Sequence, residues 1–128
     1  VAQRCTFCAP YPRLAGTYVE HLPWQDCLKR YDRPYTFFYA DPPYWQTEGY
    51  GIPFEFDQYE QLAEVMRTCK GKVMVSINDH PDIRAAFDGF WMEGLDIKYS
   101  MANSQGAPET SRELVITNWA PEALGQLF

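Results

Sequence analysis

Asp41-Pro42-Pro43-Tyr44 concentrates more chemistry than any other four residues of the chain. Asp41 offers a carboxylate, the two prolines fix the backbone and remove two N–H donors, and Tyr44 offers an aromatic face. At the mouth of a sheet these four would form a rigid set of acceptors beside a stacking surface. An exocyclic amine on a planar heterocycle carries two N–H donors, which suit the Asp41 carboxylate and the Pro42 carbonyl while Tyr44 stacks on the ring. Such acceptors raise electron density on the nitrogen. A nitrogen held in this way can attack an electrophilic methyl group in line, with positioning and electrostatics contributing most of the catalysis. The other reading of Pro-Pro-Tyr-Trp is a polyproline segment for an aromatic-lined groove. Such ligands usually lie in disordered linkers, whereas this one directly follows an apolar run.

The elements that must position the tetrapeptide follow from periodicity. Tyr35-Thr36-Phe37-Phe38-Tyr39-Ala40 is aromatic and does not alternate, which predicts a strand buried on both faces of a parallel sheet. Upstream, residues 1–16 read as an irregular lead-in, residues 17–22 as a β-type run, and Pro23 as the start of a helix whose apolar face is Trp24, Leu28 and Tyr31. Downstream of a Gly-, Tyr- and Pro-rich loop (46–54), Tyr59, Leu62, Ala63, Val65 and Met66 predict a helix over 56–69, with Gly71 as its stop. A second buried strand is expected at 72–77, and Asn78 or Asp79 can cap a short helix over 81–87 with Ile83, Ala86 and Phe87 on one face. Two further strands are expected at 95–100 and 113–118, separated by a polar loop. The succession predicts an α/β fold for residues 17–128, with a mainly parallel sheet and a closing antiparallel strand pair. Ligands of such sheets sit beyond the carboxyl ends of the strands, where Asp41 to Tyr44 and Ser76 to Asp79 fall.

Composition bounds the setting. The 128 residues are 46% hydrophobic and 16% aromatic, enough for one domain with its own core, so intrinsic disorder is not expected. Eleven Lys and Arg against 17 Asp and Glu leave a net charge of −6, the wrong sign for gripping a polyanion through a basic surface. Small basic groups remain at Lys29, Arg30 and Arg33 and at Arg67, Lys70 and Lys72; each reads as a solvated helix end or a phosphate contact. No apolar run approaches the ~20 residues that span a bilayer, and no signal core follows Val1. A soluble, cytoplasmic protein with its four cysteines reduced is the expectation. The start on Val1 suggests a piece of something longer.

Other signals compete. Cys5-x-x-Cys8 with His21 and Cys27 could make a small zinc site, although His21 and Cys27 fall on an expected strand and helix, so unliganded thiols are the simpler reading. His80 reads as a helix-start residue or a general base. The aromatic loop from Trp45 to Phe56, with Tyr50 and Phe54, could stack on bases or pack on itself.

Three blocks taken together resemble a known family. Asp41-Pro42-Pro43-Tyr44-Trp45 after an aromatic strand, then Val73-Met74-Val75-Ser76-Ile77-Asn78-Asp79-His80, then Glu113-Leu114-Val115-Ile116-Thr117-Asn118 resemble the carboxyl-terminal half of the Dam-type DNA adenine methyltransferases. The resemblance covers roughly residues 17–119. It implies a partial Rossmann-like methyltransferase sheet and transfer of a methyl group from S-adenosylmethionine to the N6 amine of an adenine flipped out of DNA. It also implies Asp41, Pro42, Pro43 and Tyr44 as the catalytic segment, with Asp41 touching the cofactor's methionine end and Asp26, slightly displaced, near its adenosine. Tyr44, Trp45, Ser76, Asn78 and Asp79 would face the substrate, although on spacing alone Ser76 to Asp79 read better as a strand end and helix cap.

Two family parts have no counterpart within these residues. The amino-terminal Phe-x-Gly-x-Gly-type loop is absent, since Gly49 and Gly51 follow the Asp-Pro-Pro-Tyr block, and residues 1–16 could hold only the tail of a target-recognition domain. A partial catalytic domain is therefore expected, with an open sheet edge that invites a partner or a homodimer. The alternatives are a catalytically silent remnant serving as a nucleic-acid or protein interaction module, and methylation of an amine or amide in protein or RNA. Asp41 stands where protein-modifying relatives usually have Asn, which favours the nucleic-acid base.

Overall fold

The computed structural model describes residues 15–47, 54–98 and 110–121. The chain divides into two compact units, Val1–Arg30 and Tyr31–Phe128. Among the described residues, no helix is long and apolar enough to cross a membrane.

In the first unit, Pro23 precedes helix α1 (Trp24–Tyr31) and its carbonyl accepts the Cys27 N–H at 3.1 Å. Asp26 lies in the first turn of α1 and Lys29 and Arg30 in the last, the arrangement the helix dipole favours. Arg30 also pairs with Glu20 at 3.2 Å. The strand expected at 17–22 does not form. Tyr18 and Val19 stand in solvent, and β-type residues without a ladder partner cannot hold a strand.

The second unit carries a four-stranded mixed sheet. Strand β1 (Phe37–Ala40) is followed by helix α2 (Phe56–Thr68), strand β2 (Lys72–Asn78), helix α3 (Pro81–Ala86), and strands β3 (Trp91–Lys98) and β4 (Thr110–Thr117). The spatial order is β1-β2-β4-β3. Strands β1 and β2 are parallel, with Phe37 opposite Lys72 and Ala40 opposite Val75, whereas β4 runs antiparallel to both of its neighbours. The sheet is therefore not mainly parallel in its pairings. Strands β1, β2 and β3 do point the same way, but β4 inserts between β2 and β3 and turns two of the three pairings antiparallel. The closing antiparallel pair is present and starts at Trp91, earlier than the pattern suggested.

The core follows from two periodicities. Alternation along β2 buries Val73, Val75 and Ile77, with Leu114 and Ile116 of β4 beside them in register. Helical spacing buries Tyr59, Leu62, Ala63 and Met66 of α2, while Ile83 of α3 and Phe87 complete the layer. Strand β1 departs from expectation, because Phe37 and Tyr39 are exposed and Phe38 and Ala40 half-buried. Its continuous apolar run arises from aromatic residues on the outward positions, not from cover on both faces.

Gly71 also acts differently from a helix stop. Helix α2 ends at Thr68 with an extended Cys69 cap whose N–H bonds the Val65 carbonyl. A Cβ on Gly71 would lie 2.8 Å from the Thr36 carbonyl oxygen, which itself accepts the Lys72 N–H at 2.9 Å. The missing side chain thus lets β2 start against β1. Two side chains secure this corner. The Asp32 carboxylate accepts the Lys70 and Gly71 N–H groups at 2.8 and 2.9 Å, and Asn118 accepts from the Val73 N–H at 2.8 Å while donating to the Gly71 carbonyl at 3.1 Å. The cap of α3 is neither Asn78 nor Asp79: His80 is the N-cap, its Nδ1 accepting the Asp82 N–H at 3.1 Å. Asn78 is still in the strand and turned to another partner.

Candidate functional site

Parallel pairing puts the carboxyl ends of β1 and β2 side by side, and the reversed β4 brings its own amino-terminal half to the same end, with Glu113 opposite Asn78. The segment from Asp41 to Trp45 leaves β1 at this point and is tethered along its length. The Tyr59 hydroxyl of α2 donates to the Pro43 carbonyl at 2.7 Å. The Tyr44 hydroxyl bonds the Glu113 carboxylate, and Ser76 Oγ donates to Glu113 Oε2 at 3.3 Å. The Trp45 N–H donates to Asn78 Oδ1 at 2.8 Å, and Asn78 Nδ2 returns a bond to the Trp45 carbonyl at 3.0 Å. Side chains from α2, β2 and β4 thus hold the three residues that follow Pro42.

The remaining two residues are left open. Asp41 is exposed, and among the described residues neither its carboxylate nor the Pro42 carbonyl has a hydrogen-bond partner. Two acceptors stand free on a segment whose neighbours are fixed, which suits capture of a donor-rich ligand. Proline at positions 42 and 43 also removes the backbone N–H groups that lie nearest to the Asp41 carboxylate.

Trp45 is packed rather than splayed. Its ring lies 5.0 Å from Phe56 and 5.8 Å from Tyr59, and its Nε1–H donates to Asp82 Oδ2 at 3.0 Å. It forms one wall of an open groove of about 400 Å³ that also includes Phe56, Glu60 and Asp82. Phe54 packs against Tyr59 at 4.9 Å. Burial pushes the Tyr59 phenol above its ordinary range, which keeps it a donor at neutral pH.

The structure brings Asp41, Pro42, Pro43, Tyr44, Trp45, Ser76 and Asn78 to one end of the sheet. Asp79 is adjacent but occupied: Arg84 donates to both of its oxygens, at 2.6 and 2.9 Å. That bond and the guanidinium charge hold the Asp79 carboxyl below its ordinary value. Asp26 sits on the exposed side of α1 in the amino-terminal unit. Cys5, Cys8 and Tyr50 lie outside the described residues, as do 48–53 of the Gly-rich loop and 101–109 of the polar loop. Cys27 and Cys69 are free thiols, and no cluster of three or more metal-ligating side chains occurs among the described residues.

Sequence reasoning missed two members of this constellation, Tyr59 and Glu113. Tyr59 is legible only as one more apolar position of a helix. Glu113 carried a signal, being a charged residue directly before the apolar run Leu114-Val115-Ile116, and the structure buries it. No protein-family model matches the chain, and no curated protein matches it in sequence.

Proposed function

We propose that the Tyr31–Phe128 unit is the target-base half of an S-adenosylmethionine-dependent DNA adenine-N6 methyltransferase, built as a partial Rossmann-like methyltransferase domain. The observation that carries this reading is the tethered Asp41–Trp45 segment, which leaves one carboxylate and one carbonyl free at the carboxyl ends of two parallel strands. The resemblance in sequence and the closing antiparallel pair support it. In this reading Asp41 and the Pro42 carbonyl accept the two N–H bonds of the adenine amine, and the Tyr44 ring stacks on the base.

When bound, S-adenosylmethionine would supply an electrophilic methyl group on a sulfonium, to be exchanged for one proton of the amine. The Asp41 carboxylate, exposed and anionic, also fits the cofactor's ammonium in charge. The chain's own contribution is to orient the amine and to hold electron density on its nitrogen. In this reading the chain's net charge of −6 leaves little basic surface for phosphate contact. Free Cys27 and Cys69 suit a reducing cytoplasm.

Calorimetric titration of the folded chain with S-adenosylmethionine tests the reading, with saturable one-to-one binding expected. Transfer of labelled methyl groups to adenine-containing DNA should follow and be abolished by Asp41→Ala. A folded sample that neither binds the cofactor nor methylates DNA overturns the reading, and normal methylation by Asp41→Ala removes the carboxylate from it.

A second reading, a silent remnant that serves as an interaction module, is favoured by exposed apolar side chains on the two edge strands: Phe37 and Tyr39 of β1, and Trp91 and Leu95 of β3. Concentration-dependent self-association without cofactor binding would select it.

A further inference from the structure

We infer that Glu113 is a positioning residue for Tyr44, an inference that rests on the methyltransferase reading and adds to it a residue with no contact to the substrate. Glu113 is only 4% exposed, in the middle of strand β4, where Leu114 and Ile116 face the core. A buried carboxylate is costly and an apolar residue would pack here without that penalty, so the fold must obtain something in return. What it obtains is a fixed tyrosine.

Tyr44 is held at both ends. Its backbone is flanked by the Tyr59 bond to the Pro43 carbonyl and the paired bonds between Asn78 and Trp45, and its hydroxyl is bonded to Glu113. With the Cα and the ring tip both anchored, the remaining freedom is rotation about the axis that joins them. Ser76 donates to the second carboxylate oxygen at 3.3 Å and so orients the group that receives the tyrosine. A ring whose axis is already fixed presents its stacking face at a smaller ordering cost when a base arrives. The tether bridges residues 69 apart in sequence, joining the loop after β1 to β4 across β2.

The test is a double-mutant cycle on the whole chain with two readouts. The first is affinity for a single-stranded dA12 oligonucleotide, which presents unstacked adenines and needs no base flipping. Tyr44→Phe and Glu113→Ala are each expected to weaken binding about tenfold, the double variant to weaken it about tenfold and not a hundredfold, and Glu113→Gln to stay within about threefold of the parent. S-adenosylmethionine affinity should change by less than about threefold throughout, whereas a general loosening of the fold would lower both. The second readout needs no ligand. In chain carrying isotope-labelled tyrosine, with the Tyr44 signal assigned by its loss in Tyr44→Phe, NMR should show the Tyr44 side chain held in a single χ1 rotamer, averaged in Glu113→Ala and retained in Glu113→Gln.

Losses that multiply, or a Tyr44 side chain held equally in one rotamer without Glu113, overturn the inference. Should Glu113→Ala fail to fold, Ser76→Ala, which removes only the orienting hydroxyl, is expected to weaken dA12 binding about threefold and loosen the Tyr44 rotamer. A parent chain that binds neither probe counts against the methyltransferase reading, while the rotamer measurement still decides whether Glu113 positions Tyr44.

Discussion

The two faces of the sheet are built on opposite terms. One is closed: Val73, Val75, Ile77, Leu114 and Ile116 are fully buried in a layer with the apolar sides of α2 and α3. The other remains open, with Phe37 and Tyr39 of β1 at 56% and 60% exposure and Trp91 and Leu95 of β3 at 59% and 41%. Register aligns Tyr39, Met74, Thr117 and Trp91 in one row across this open face. Trp119 leans over one corner of it, its ring 6.0 Å from Phe37 and 5.5 Å from the Lys72 ammonium. By strand alternation the open face also carries Ser76, Asn78 and Glu113. The molecule is therefore held together from one side of the sheet and offers its polar site, with an apolar apron beside it, from the other.

That division can be broken by substitution, and the largest effects belong to the closed face. Ile77→Ala or Phe87→Ala is expected to lower stability by about 3–5 kcal/mol in urea unfolding, through lost burial plus a cavity that rigid neighbours cannot fill. A loss below about 1 kcal/mol would show that the layer is loosely packed. Gly71→Ala ranks next, at about 1–3 kcal/mol, because the new methyl meets the Thr36 carbonyl, which cannot move without breaking the Lys72 bond.

The Asp79–Arg84 pair at the end of β2 should contribute less, and in a pH-dependent way. The folded Asp79 carboxyl lies below its ordinary value near 3.8, so its stabilisation is present above that pH and is lost as pH falls through the lower folded value. Thermal melts of the parent and Asp79→Asn should differ at pH 6 and converge in strong acid. A difference that persists unchanged to low pH would assign the effect to packing.

Smallest of all are changes on the open face. Trp91→Ser or Tyr39→Ser should alter stability by no more than about 0.5–1 kcal/mol while raising solubility. A loss as large as that of Ile77→Ala would mean that this face is covered in solution, which would sharpen the interaction-module reading.

Legibility in the sequence followed the same division. Helix α2 and strand β2 were readable because Tyr59, Leu62, Ala63 and Met66 repeat at helical spacing and Val73, Val75 and Ile77 alternate, patterns written by the closed face. Strand β1 misled for the converse reason: exposed aromatics on an outward face look like buried ones when only residue type is visible. The run at 17–22 had strand composition but no ladder partner, and composition does not supply one. The position of Asp41 to Tyr44 after a strand was legible from its prolines and acceptors. Its tethers were not, since Tyr59, Asn78 and Glu113 approach the loop from three separate elements.

Local chemistry in the sequence by itself determined where helices start, which strand positions alternate and where two prolines halt β1, because those depend on neighbours within a few residues. Only the tertiary structure decided that β4 lies between β2 and β3, and hence that Glu113 reaches Tyr44. Pairing order is set by which distant apolar faces can be buried together, and that balance is struck over the whole sheet.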